Sequence, residues 1–79
     1  MSKFHKTFKH HFTIGSSYFL AKNGTSVTEM NYCKFRQGHL IFSNGNTFVD
    51  VSGGDIRDRK VIIQNHEGLT FTVNGWEKV

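Results

Sequence analysis

The chain has 79 residues, a formal charge of +4 at neutral pH, eight Phe, two Tyr, one Trp, one Cys and no Pro. Such a chain makes one small domain with an aromatic core, and it has no space for a roomy enclosed active site besides. The lone Cys excludes an internal disulfide framework, no stretch approaches a membrane span, and the basic N-terminal residues lack the apolar run of a secretory leader, so a cytoplasmic location is expected (the host cytoplasm, if the chain is viral).

Residues 4–14 alternate, with Phe4, Lys6, Phe8, His10, Phe12 and Ile14 set against His5, Thr7, Lys9, His11 and Thr13. This predicts a strand beginning near Thr7 with its aromatics inward. Phe4, Phe8 and Phe12 also repeat at helical spacing, but the segment has no Ala, Leu or Glu, and its Phe, His and Thr are mediocre helix formers. Gly15-Ser16-Ser17 reads as a bend or bulge, and Tyr18–Ala21 as a continuation toward a turn at Asn23-Gly24. Asn23-Gly24-Thr25 also matches a glycosylation sequon; without a secretory route it reads only as a turn.

Residues 25–36 carry two conflicting signals. Ser26-Val27-Thr28-Glu29 matches a capping box and Gly38 a helix stop, which together allow one short helix near 26–36. Thr25, Val27, Thr28, Tyr32, Cys33 and Phe35 prefer extended structure, and a strand is favoured.

Residues 39–51 give the clearest hairpin. With Asn44-Gly45 as its turn, Phe42 faces Thr47, Ile41 faces Phe48, Leu40 faces Val49 and His39 faces Asp50. Ile41 and Phe48 share one face while Leu40, Phe42 and Val49 share the other. Both faces are apolar, so the hairpin is expected to be covered on both sides, within the fold or in an oligomer contact. Residues 52–60 read as the longest polar loop. Val61–Gln64 and Leu69–Val73 form a second hairpin across 65–68, with Leu69, Phe71 and Val73 inward, and Asn74-Gly75 marks a last turn. Phe48 and Phe71 are taken as core residues. The expected fold is all-β: a small meander of hairpins curling into a half-closed or closed β-barrel, SH3-like or OB-like in size, forming one domain over 1–79 with residues 1–6 loosely ordered.

Chemistry-bearing residues are sparse. His5, His10, His11, His39, His66 and Cys33 lack the close paired spacing of zinc ligands, and Cys33 reads as a half-buried structural thiol. The acids Asp50, Asp55, Asp58 and Glu67 form no calcium loop, and no phosphate-cradling, nucleotide-binding or nucleophile motif occurs. Neither enzymatic activity nor a cofactor is expected.

Two binding readings remain. The favoured one is a non-enzymatic accessory or inhibitor module, of the kind viruses direct at a larger host protein. It docks through an exposed β edge and the charged loop residues Asp55, Arg57, Asp58 and Arg59, and a homodimer is compatible with it. The alternative is a nucleic-acid-binding barrel. Residues 1–39 hold six cations and one acid, whereas residues 40–79 hold four and five. Lys3, Lys6, Lys9, His11, Lys34 and Arg36 would then neutralise phosphates, with Tyr18, Tyr32 or Trp76 as stacking surface. The discriminator is whether the basic residues of 3–11 converge with Lys34 and Arg36.

Overall fold

The computed structural model describes residues 8–78. Phe8 leads into a 3₁₀ turn (Lys9–His11), and seven strands follow: β1 (Ser17–Lys22), β2 (Thr28–Arg36), β3 (His39–Asn44), β4 (Thr47–Ser52), β5 (Val61–Gln64), β6 (Thr70–Thr72) and β7 (Gly75–Glu77). A short helix, α1 (Gly53–Arg57), joins β4 to β5. All neighbours are antiparallel, in the order β4-β3-β2-β1-β5-β6-β7. The end strands β4 and β7 are not neighbours, so the sheet curls without closing. No helix among the described residues is long and apolar enough to cross a membrane.

One face of the curled sheet holds the core. Tyr18, Leu20, Met30, Tyr32, Leu40, Phe42, Val51, Val61, Ile63 and Phe71 point into it, joined by Ile56 from α1 and by Phe8 and Phe12 from the N-terminal segment. The expected strand over residues 8–14 does not form. Phe8 and Phe12 instead bracket the 3₁₀ turn and both are buried, so the helical spacing was the informative one. Both edges of β1 are already taken by β2 and β5, which leaves this segment no ladder to join there. It acts as a plug. Phe12 lies 4.8 Å from Phe71, 5.0 Å from Tyr18 and 5.3 Å from Trp76, ring centre to ring centre. The portion of the expected strand before Phe8 lies outside the described residues, as do residues 1–6.

The strand over 28–36 forms as favoured, and the helix near 26–36 does not. Glu29, which would have completed the capping box, accepts a hydrogen bond from Ser17 on β1 instead (2.7 Å). The capping box is real elsewhere. The Ser52 hydroxyl accepts from the Asp55 backbone N–H (3.1 Å), and the Asp55 carboxylate accepts from the Ser52 N–H (3.2 Å). The segment expected as a loop therefore opens with α1, which buries Ile56 against β4, β5 and β6.

The β3–β4 hairpin forms two residues out of the expected register. Asn44 pairs with Thr47, Phe42 with Val49 and Leu40 with Val51, so the connecting residues are Gly45 and Asn46. Gly45 has φ +62°, the pattern of a II′ turn with glycine at its first central position. Asn44 stays in the strand and its side-chain amide donates to the Glu29 carbonyl (3.2 Å). A slip of two residues preserves faces, so Leu40 and Phe42 are inward as expected. Phe48, however, is 64% exposed, and no described residue covers it. In the β5–β6 hairpin Phe71 is buried, but Val73 is exposed and Leu69 only half-buried, while Thr70 is buried in their place. β6 has only three residues, and the Thr72 hydroxyl accepts the Asn74 N–H to start the next turn, which carries Val73 out of the sheet.

Phe42→Ala and Phe71→Ala should each cost about 3–5 kcal/mol in urea unfolding, whereas Phe48→Ala should cost about 0.5 kcal/mol or less. Equal losses at Phe48 and Phe71 would overturn the exposure of Phe48.

Candidate functional site

The outer face of β2, β3 and β4 is assembled by a bulge. Tyr32 pairs with Phe42, but Lys34, not Cys33, pairs with Ile41. Two residues of β2 thus oppose one step of β3. Cys33 and Lys34 both lie on the outer side, where the Cys33 thiol donates to the Ser43 hydroxyl (3.0 Å). Beyond the bulge Phe35 turns inward and packs on the core, and Arg36 turns outward. Had Cys33 continued the regular alternation, Phe35 would face water while Lys34 and Arg36 faced the aromatic core.

Lys34, Arg36, His39, Ile41, Phe48 and Asp50 line an open groove of about 400 Å³ on this face. In register, Lys34 and Asp50 flank Ile41 from either side, Arg36 lies beside His39, and Phe48 lies across from Ser43. Among the described residues the ion pairs are Arg57–Asp58 and His66–Glu29, so the charges of this groove are not paired off. The His39 Nδ1 atom, also in the groove wall, is buried without a hydrogen-bond partner, a local cost of the kind native proteins keep few of.

A second hollow of about 380 Å³ adjoins the first. Lys9, His10 and Ile14 line it together with Lys34. The Lys9 ammonium lies 5.8 Å from the centre of the Phe35 ring, a cation–π distance. Lys34 borders both hollows: it shares the first with Arg36 and the second with Lys9 and His10, and Lys9 sits over the inward-turned Phe35 ring. His11 lines neither hollow. Its ring packs 5.3 Å from Phe71 and its carbonyl accepts the Trp76 indole N–H at 3.0 Å. A Cβ on Gly75 would come within 3.3 Å of that ring, and Gly75 has φ +105°, so only glycine fits there. Lys3 and Lys6 lie outside the described residues. Tyr18 and Tyr32 are buried and Trp76 is half-buried in the core margin, which leaves Phe48 as the exposed large aromatic among the described residues. Burial pushes the Tyr32 phenol above its ordinary pKa, and neighbouring Tyr18 adds to the rise.

The four charged residues expected in a docking loop have local duties. Asp55 closes the capping box. Arg57 and Asp58 pair at 3.1 Å, and that hydrogen bond holds the Asp58 carboxyl below its ordinary range and the Arg57 guanidinium above its own. Arg59 takes φ +59°, a left-handed turn after the helix.

Ser17, Glu29 and His66 form an exposed cluster that sequence gave no reason to group. The Ser17 hydroxyl is 2.8 Å from His66 Nε2 and donates its one proton to Glu29 at 2.7 Å. It must then accept from Nε2–H, so His66 is not placed as its base. Glu29 also approaches Nε2, at 3.6 Å, and not the opposite ring nitrogen from which a carboxylate would orient a catalytic imidazole. The cluster ties β1 and β2 to the β5–β6 connection. Among the described residues, no group of three His, Cys, Asp or Glu side chains could hold a metal ion.

The fold and this face define a small curled antiparallel sheet that carries a cationic groove with an exposed aromatic. No protein-family model, curated protein or solved structure matches the chain.

Ser52→Ala removes a helix cap and should cost about 1 kcal/mol in thermal or urea unfolding, with faster amide exchange at Asp55. Unchanged exchange at Asp55 would show that the capping box contributes nothing to α1.

Proposed function

We propose that the chain is a non-enzymatic binding module whose outer sheet face takes single-stranded nucleic acid. The observation that carries this reading is the cationic strip of Lys34 and Arg36 in one groove with the exposed ring of Phe48, with Lys9 beside Lys34 in the adjoining hollow. Cations neutralise phosphates and an exposed ring stacks on bases, and the combination suits flexible single strands better than the fixed grooves of a duplex. The open outer face of a sheet also leaves room for splayed bases.

The other reading, an accessory or inhibitor docking on a larger protein, has one specific support. β4 is a six-residue sheet edge without Lys, Arg or Pro, and it bears Phe48. Its second support is weaker than the sequence implied, because Asp55, Arg57 and Asp58 are engaged within α1 and its cap.

Fluorescence anisotropy with a labelled single-stranded oligonucleotide across a salt series tests the first reading. With three phosphates neutralised, log affinity should fall against log salt with a slope of about −2, and Lys34→Ala with Arg36→Ala should reduce that slope by about 1.4. Phe48→Ala should weaken binding by about tenfold while leaving the slope unchanged. Binding of poly-glutamate as tight as that of the oligonucleotide, and indifferent to Phe48→Ala, would instead make the strip a docking surface for an acidic protein.

A further inference from the structure

One group in the groove is not accounted for by phosphate binding. Asp50 is exposed on the outer face of β4, across Ile41 from Lys34. Among the described residues it has no ion-pair partner within 4.0 Å and no side-chain hydrogen bond. A bare carboxylate facing the cations across a groove repels a polyanion, so a groove built only for phosphates would do better without it. It lies two residues from Phe48 on the same strand face, a separation of about 7 Å along the chain.

Resting on the single-strand reading above, we infer that Asp50 reads the edge of the base stacked on Phe48 and gives the groove a preference for guanine. A base lying on the Phe48 ring extends its Watson–Crick edge along β4 to the neighbouring outward side chain. An ionised carboxylate offers two acceptor oxygens and no donor. Guanine alone presents two adjacent donors on that edge, N1–H and the N2 amino group, which match both oxygens at once. Cytosine and adenine present one amino donor beside a ring-nitrogen acceptor. Thymine and uracil present one N–H between two carbonyl oxygens, which the carboxylate repels. Lys34 and Arg36 on the far side of the groove hold the flanking phosphates, so position and base reading are divided between the two walls, as in other nucleic-acid interfaces. The same carboxylate that costs affinity for an unspecific strand thereby becomes the source of discrimination.

The test is anisotropy with four labelled oligothymidylates that differ only in one central nucleotide, bearing guanine, cytosine, adenine or thymine, at one fixed salt concentration. The wild-type protein should bind the guanine strand about tenfold tighter than the thymine strand, the range of a bidentate base contact. Asp50→Asn should abolish that gap and bind the all-thymine strand more tightly than the wild type does. Lys34→Ala should weaken all four strands alike and keep the gap. Equal binding of all four strands by the wild type, or a gap that survives Asp50→Asn, overturns the inference while leaving single-strand binding intact, and Asp50 is then only a charge guarding a sheet edge. Failure of every strand to bind overturns the parent reading itself.

Discussion

The structure depends on a single aromatic ring. A sheet whose end strands do not meet leaves its interior open on one side, and the described residues form no second sheet to cover it. Phe12 fills that opening. Its ring touches Tyr18, Tyr32 and Phe42 from β1, β2 and β3, and Phe71 and Trp76 from β6 and β7. The two wings of the sheet thus meet through side chains where the ladder cannot join them. Backbone contacts fix the plug in place: the Thr13 N–H donates to the Tyr18 hydroxyl, the Trp76 indole donates to the His11 carbonyl, the Gly15 N–H donates to the Tyr32 carbonyl and the Tyr32 N–H donates to the Ser16 carbonyl.

This arrangement fills much of the interior with packed aromatic rings. On the outer face of β2–β4 several charges and an exposed ring share one depression. Because its side chains stand on three hydrogen-bonded strands, their spacing is set by the ladder, and they need little ordering on binding.

Much of the architecture was legible in the sequence. Tight turns at Asn23-Gly24 and Gln37-Gly38 have positive φ at both residues, as that chemistry demands, and the strands between the turn marks follow their β-branched and aromatic composition. Faces survived even where register did not, because a shift of two residues returns every side chain to its own side. What was not legible depended on partners distant in sequence. Phe8 and Phe12 alternate with polar neighbours as in a strand, and only the occupied edges of β1 show why they plug the core instead. Ser26–Glu29 and Ser52–Asp55 are equally good caps on paper; β2 absorbs the first into a ladder, and only the second is followed by a free turn. Phe48 looked like core because large apolar residues usually are, and its exposure could be known only from β4 being an edge. Of the candidate binding residues, Lys34 and Arg36 are two apart on one strand and so share a face, but the sequence could not separate Lys9, which lies over Phe35, from His11, which packs on Phe71.

The bulge in β2 has a consequence for the protein's tolerance of change in length. The ladder from β1 ends at Tyr32, just before the extra residue, and the pairing with β3 resumes at Lys34. Cys33 therefore sits in the one place in this strand where the count of residues is decoupled from the side on which they emerge. Loss of Cys33 would restore plain alternation with Tyr32 and Phe35 still inward and Lys34 and Arg36 still outward. Loss of any residue deeper within the paired stretches would exchange the two surfaces over the rest of the strand. The site behaves as an expansion joint: one residue can be lost at that point without exchanging the two surfaces, and not a few positions away.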